Sequence, residues 1–195
     1  RQHRRGRRIA PGAHPERRIH RVERPMSPRL RLCRVTPENS GDLVAYAREF
    51  AAAGESYLVL PGGDPEAFLA RVAMFEEGRN LPGNRVRMTW FWLLRGDRIV
   101  ASSRLRHVLI PVLLLDGGNI GYEVRPSERR RGVGRELLRL TLDEARRIGL
   151  QRVLLTTDTT NVGSIRVILG NGGVFADTSV SPDTGRTLNR YWITL

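Results

Sequence analysis

One stretch of the chain constrains the fold more than any other: a short strand, a tight turn with two glycines, and a strongly periodic helix. The strand is predicted over residues 120–124, the turn contains Gly132 and Gly134, and the helix is predicted over 133–148. Such a turn leaves several backbone N–H groups without an acceptor at the helix N-terminus, where the helix dipole also favours an anion. The stretch therefore predicts a cradle for a phosphate or pyrophosphate.

Residue types exclude two common nucleotide-binding motifs. A dinucleotide motif G-x-G-x-x-G that begins at Gly132 needs a glycine where Leu137 stands. A Walker-type phosphate loop needs a lysine, and all 33 basic residues are Arg. A glycine turn beside a solvated run of Arg residues, with no ligand, stays open as an alternative.

The flanking patterns predict an α/β fold of mixed strand and helix order. Alternation and apolar runs predict strands over 30–35, 88–94, 99–105, 120–124 and 153–157, with short strands over 174–175 and 190–194. Helical spacing and start signals predict helices over 37–53, 65–77, 133–148 and 162–169. Residues 78–84 and 111–118 are predicted to be loops.

The first 25 residues differ from the rest of the chain in composition. They hold nine Arg, two Glu and three Pro, which predicts a disordered tail. Residues 26–195 are predicted to form one domain, with Met26 as a candidate natural start. An RNA-binding role for the tail is the weaker interpretation, because it has no aromatic residue on which a base can stack.

The remaining composition points to an ordinary cytoplasmic protein. Cys33 is the single cysteine, so no internal disulfide asks for an oxidising compartment. No apolar run approaches the ~20 residues of a membrane-spanning helix. We expect no membrane partner and no bound metal, and either a monomer or a homodimer.

The residues around the glycine turn resemble those of the GNAT acetyltransferases. Arg129-Arg130-Arg131-Gly132-Val133-Gly134 matches the family's acetyl-CoA signature [QR]-x-x-G-x-[GA], and Val124-Arg125-Pro126 matches the strand end V-x-P. Asn161, Ser164 and Gly172 match the family pattern on the next helix. More narrowly, Ile120-Gly121-Tyr122, Asn171-Gly172-Gly173 and Arg190-Tyr191-Trp192-Ile193 resemble a bacterial group of predicted acetyltransferases with undefined substrates.

The resemblance implies a GNAT fold: a mixed central sheet splayed between its fourth and fifth strands and flanked by helices. It also implies acetyl-CoA as cosubstrate, with its pyrophosphate on the N–H groups of residues 130–135 and its pantetheine arm along the Val124 backbone. The expected cofactor-binding residues are Val124, Arg129, Arg130, Arg131, Gly132, Val133, Gly134, Arg135, Asn161 and Ser164.

The chemistry requires a base that makes the acceptor amine neutral. Glu123, in the splayed strand, is the first candidate, and its alternative role is a strand charge or an ion pair with Arg. His107 is the second candidate because an ordinary histidine pKa near ~6.5 suits proton transfer, and its alternative role is structural.

The chain departs from the family pattern at one position. Many GNAT enzymes place a Tyr seven residues after the Asn, as the acid that protonates CoA, and this chain has Ile168. Tyr122, Tyr191 and Cys33 are the candidate substitutes.

The sequence thus predicts direct acetyl transfer to a primary amine in a ternary complex. The alternatives are a CoA-binding module without turnover and an RNA- or ribosome-associated protein acetyltransferase. The first two helices and the loops 78–84 and 111–118 are expected to shape the acceptor pocket. Trp90, Trp92 and Trp192 are candidates for its lining, or else core residues.

Overall fold

The computed structural model of the protein describes residues 29–55, 60, 63–79, 81–83 and 85–195. The prediction for residues 1–25 lies outside this part of the chain. In order, the elements are β1 (Leu30–Arg34), α1 (Leu43–Ala52), α2 (Pro65–Glu77), β2 (Met88–Arg95), β3 (Arg98–Arg106), α3 (Pro111–Leu115), β4 (Ile120–Val124), α4 (Val133–Arg147), β5 (Arg152–Asp158), α5 (Val162–Leu169), β6 (Val174–Val180) and β7 (Thr187–Thr194).

The strands form two antiparallel sheets, in the orders β1-β2-β3-β4 and β5-β7-β6. Strands β4 and β5 do not pair along their length. They are joined only near their starts, where the Asn119 N–H donates to the Leu154 carbonyl at 2.7 Å and the Leu154 N–H donates to the Asn119 side chain at 2.8 Å. The predicted α/β fold with a sheet split between its fourth and fifth strands is therefore confirmed.

Helices cover both faces of the split sheet. Helices α1 and α2 pack on one face through an aromatic cluster that includes Tyr46, Phe50, Phe68, Trp90 and Trp92. Helix α4 packs on the other face, where Leu138 and Leu142 contact apolar residues of β3, β4, β5 and β7. Helix α5 lies on this second face as well, so the gap between β4 and β5 opens between α4 and α5.

The predicted helix over 37–53 was wrong at its start. The side chains of Thr36 and Asn39 form a capping box, but this closes only a 3₁₀ turn, Pro37–Asn39, and α1 begins at Leu43. Asp42 precedes α1, and its carboxylate accepts from the Ile99 N–H at 2.9 Å and from Arg125 instead of capping the helix. Tertiary contacts therefore set this helix start.

Two other predictions needed correction. The predicted loop 111–118 contains the short helix α3, which begins with Pro111 at a position where proline is favoured. The last two strands are longer than predicted, because the exposed polar residues of β6 show no apolar alternation and only pairing with β7 defines them. None of the described helices is long and apolar enough to cross a membrane.

Candidate active site

The edge of β4 that faces the gap carries unpaired backbone groups. The Arg125 N–H donates to the Val100 carbonyl and the Arg106 N–H donates to the Asn119 carbonyl. The backbone N–H and carbonyl groups of the odd-numbered residues of β4 therefore point toward β3. Because antiparallel strands alternate, the N–H groups of Tyr122 and Val124 point away from β3, toward β5. No acceptor for either lies in the described part of the chain. An extended ligand that needs backbone partners fits this edge.

The turn after β4 is shaped as a cradle at the N-terminus of α4. Arg130 and Gly132 have φ angles of 59° and 78°, which turn the chain tightly. The N–H groups of residues 130–135 have no acceptor among the described residues. Several free N–H groups at the start of a 15-residue helix suit a pyrophosphate. The predicted cradle residues are thus brought together, and they fit the acetyl-CoA pyrophosphate.

The two glycines of this turn have different roles. Gly132 has a positive φ and nothing within 4 Å of an added Cβ, so its role is conformational. A Cβ at Gly134 would lie 3.3 Å from the side chains of Val124 and Val167. Gly134 therefore allows α4 to pack closely between β4 and α5.

Arg129 makes structural contacts. Its guanidinium forms two 2.6 Å hydrogen bonds with the Glu55 carboxylate, and its Nε donates to the Val124 carbonyl at 3.1 Å. It therefore tethers the chain after α1 to the end of β4. Arg130, Arg131 and Arg135 are exposed around the cradle, where their charges favour an anionic ligand.

A hydrogen bond joins β4 to α5 beside the gap. The Tyr122 hydroxyl lies 2.9 Å from the Ser164 hydroxyl and 3.3 Å from the Ser164 carbonyl. Burial raises the pKa of Tyr122 to about 12, while its hydrogen bond with Ser164 acts in the opposite direction. Asn161 caps α5, accepting from the Ser164 N–H at 3.0 Å. The structure thus places Asn161, Ser164 and Tyr122 at one wall of the gap.

Glu123 is buried on the opposite face of β4 from Tyr122. Its side chain is 4% exposed and forms a 2.9 Å ion pair with Arg104. Ser102, its partner across β3 and β4, donates to the other carboxylate oxygen. The ion pair with Arg, which the sequence offers as the alternative role of Glu123, is therefore present. A carboxylate has about four lone-pair sites, so these contacts leave acceptor capacity.

His107 lies elsewhere. It follows the end of β3, five residues beyond Ser102, which corresponds to roughly 16 Å along an extended chain. Its Nε2 is 2.9 Å from the Thr89 hydroxyl. Burial and then the charges of Arg87 and Arg34 lower the pKa of His107. The structure does not bring the two predicted bases together, and these contacts favour a structural role for His107.

Ile168 and two of the candidate acids, Tyr191 and Cys33, are part of the packing. Ile168 is fully buried in the core formed with β5 and β7. Tyr191 is buried in the same core and accepts from the Asn189 side chain at 3.3 Å. Burial raises the pKa of Cys33, which lies on β1 opposite Trp92 of β2. Of the proposed substitutes for the missing acid, only Tyr122 reaches the gap.

The three tryptophans lie in three different surroundings. Trp92 is buried and its indole N–H donates to the Ser40 hydroxyl at 3.1 Å. Trp192 stacks on Arg152 in the second sheet, with 4.3 Å between the guanidinium carbon and the ring centre. Trp90 lies beside Arg104, the partner of Glu123. Sequence patterns could not distinguish Trp90 from Trp92, because residues two positions apart on β2 lie on the same face of the strand.

Comparison with known proteins agrees with this geometry. Residues 72–170 match the Acetyltransferase (GNAT) family, and the match spans half of the chain. The chain belongs to the GNAT acetyltransferase family. It is therefore an acyltransferase, and acetyl-CoA is its cosubstrate. Among curated proteins, none matches the sequence.

Solved structures share the fold at low identity. Ribosomal-protein-S5-alanine acetyltransferase from Vibrio fischeri has a TM-score of 0.67 and 13% identity, over 85% of this chain and 92% of that one. RimJ of Mycobacterium smegmatis, in complex with CoA-disulfide, has a TM-score of 0.65 and 17% identity over 86% and 83%. The microcin C7 self-immunity acetyltransferase MccE, in complex with acetyl-CoA and AMP, has a TM-score of 0.66 and 11% identity over 85% and 92%.

Proposed function

We propose that the protein transfers an acetyl group from acetyl-CoA directly to a primary amine in a ternary complex. The observation that carries this proposal is the pair of consecutive residues on β4, Tyr122 and Glu123. One places a phenol in the gap between the sheets, and the other places a carboxylate on the opposite face of the strand. An acid and a base thus stand on either side of the strand whose free edge faces the cofactor site.

The chain holds acetyl-CoA through backbone groups. The N–H groups of residues 130–135 bind the pyrophosphate, and the free edge of β4 pairs with the pantetheine arm. When bound, acetyl-CoA supplies a thioester carbonyl for attack by the amine. The Val124 N–H points into the gap and is the donor that polarises this carbonyl.

Glu123 is the base that takes the proton of the incoming ammonium, directly or through a water molecule. Arg104 and Ser102 hold its carboxylate in place. The lone pairs that these two contacts leave unused can accept the ammonium proton.

Tyr122 is the acid in place of the missing family tyrosine. Its hydroxyl, which the Ser164 hydroxyl 2.9 Å away orients, donates a proton to the departing thiolate. The proton that the amine nitrogen loses as the tetrahedral adduct collapses restores the phenol, so the transfer leaves no net charge on Tyr122. A pKa of about 12 keeps this phenol protonated at neutral pH, so a proton is always present at that atom.

Thiol release from acetyl-CoA over a panel of primary amines tests the proposal. We expect release that depends on the amine and equals the amount of acetylated amine found by mass spectrometry. Tight binding of CoA with no amine-dependent release over the panel would instead support a CoA-binding module without turnover.

A further inference from the structure

Buried polar atoms without a hydrogen-bond partner cluster at one place in the described part of the chain. They are the Trp90 indole nitrogen, the Arg104 Nε and the Tyr46 hydroxyl. The Arg104 guanidinium carbon lies 5.2 Å from the centre of the Trp90 ring. Burial, followed by the charge of Glu123, raises the pKa of Tyr46 well above its ordinary value. The three atoms therefore belong to Arg104 of the Arg104–Glu123 ion pair and to two residues next to it.

The chemistry of these atoms defines what can satisfy them. The indole N–H and the guanidinium N–H can only donate. The Tyr46 hydroxyl lies near Ser102 without a well-aligned hydrogen bond. Buried polar groups in proteins are almost always paired, so two unpaired donors at one place indicate an acceptor from outside the chain. A carbonyl or carboxylate oxygen has that character, whereas an ammonium or a metal cation does not.

The position of the cluster links it to the proposed chemistry. Arg104 Nη2 is bonded to Glu123, and Arg104 Nε, on the same guanidinium, is one of the two unpaired donors. Gly121 lies under this guanidinium, and a Cβ there would be 3.3 Å from Nη2. The Arg104 side chain is 23% exposed and forms the accessible side of the cluster.

We propose that the acceptor is an α-amino carbonyl compound, in which the carbon that bears the amine also bears a carbonyl or carboxylate group. Its oxygen accepts from the Trp90 indole N–H and the Arg104 Nε–H, and its amine lies against Glu123. The inference rests on the proposed function and narrows its substrate class. A free α-amino acid and a peptide N-terminus share this chemistry.

Two acceptors that differ only in the carbonyl group test the inference. L-alaninamide and isopropylamine carry the same carbon skeleton around the amine, except that the second replaces the amide with a methyl group. We expect the ratio of their kcat/KM values to fall about tenfold in Trp90→Phe, because the carbonyl loses a buried donor. Comparing this ratio between variants cancels the difference in amine pKa.

Trp92→Phe is the matched control. It removes an indole N–H from the same face of the same strand, but that N–H already donates to Ser40. We expect it to keep the wild-type ratio. L-alanine and the peptide Ala-Ala-Ala, measured beside L-alaninamide, show whether the acceptor is a free amino acid or a peptide N-terminus.

Stability gives a readout that does not depend on turnover. Both substitutions remove the same volume, but only Trp92→Phe breaks a hydrogen bond, so we expect Trp90→Phe to have the higher melting temperature. Calorimetry with CoA present should show L-alaninamide binding to wild type and about tenfold weaker binding to Trp90→Phe.

The outcomes separate this inference from the proposed function. If no amine is acetylated, the proposed function fails. If amines are acetylated but the ratio is unchanged in Trp90→Phe, the inference alone is overturned, and ordered water molecules satisfy the two donors. An equal loss of the ratio in Trp90→Phe and Trp92→Phe would also overturn it.

Discussion

The hydroxyl oxygen of Tyr122 on β4 lies 2.9 Å from the hydroxyl oxygen of Ser164 on α5, so one hydrogen bond joins the edge strand of the first sheet to the helix beside the gap. The sequence neighbour of Tyr122, Glu123, is held on the other face of β4 by Arg104. Adjacent residues of one strand thus present an acid and a base to opposite sides.

Removing the Tyr122 hydroxyl should slow the reaction moderately. We expect Tyr122→Phe to lower kcat about tenfold, since a thiol is a tolerable leaving group and an acid contributes less than usual. Binding of CoA should be retained, as measured by calorimetry. A tyrosine with a pKa of about 12 gives no falling limb in wild-type kcat/KM up to about pH 9. A falling limb near neutrality would indicate a different acid.

The two candidate bases should differ in effect. We expect Glu123→Gln to lower kcat/KM by roughly 10² or more, because the amide cannot accept the ammonium proton. His107→Gln is the control, since His107 lies away from β4, and should change kcat/KM less than threefold or so. Steady-state kinetics at saturating acetyl-CoA measures both. The reverse order, with His107→Gln inactive, would contradict the assignment.

The backbone shape of the cradle is tested at Gly132. Alanine there must adopt a φ near 78°, which costs about 1 kcal/mol or more and favours another turn. We expect at least about tenfold weaker CoA binding by calorimetry. Gly149→Ala is a matched control, because Gly149 also has a positive φ, 85°, and open space around it, but lies after the far end of α4. Gly149→Ala should lose stability while keeping its CoA affinity.

His107 should make stability depend on pH. Its pKa is lowered in the folded state by burial and by Arg87 and Arg34, so the unfolded chain binds more protons below the ordinary value of ~6.5. The free energy of unfolding should therefore fall as the pH drops below about 6.5, and the loss should level off below the folded pKa. In His107→Gln, urea titrations should show a smaller drop over the same range. Parallel pH curves for the two proteins would show that His107 does not contribute.

Local signals in the sequence were enough for the elements that bear the cofactor site. The bounds of β4 and α5 agree with the predictions, because a proline follows β4 at Pro126 and Asn161 caps α5. Helix α4 was predicted well because its apolar residues recur on one face. Such signals lie within a few residues of the element that they define.

The remaining features depend on contacts between distant residues. Tyr122 and Ser164 are 42 residues apart, so their hydrogen bond could not be read from either segment. Trp90 and Trp92 look alike in sequence, and only the position of Ser40 distinguishes their N–H groups. Position 168 lacks the tyrosine that many family members have there. The burial of Ile168 explains why an apolar residue fits at this position, and the sequence alone does not show that burial.

A crystal structure of the protein with bound CoA tests the central claim most directly. We predict that the pyrophosphate accepts hydrogen bonds from the N–H groups of residues 130–135, that the pantetheine arm follows the free edge of β4, and that the sulfur lies against the Tyr122 hydroxyl. A pyrophosphate held away from this turn, or a sulfur on a different side of β4 from Tyr122, would contradict it.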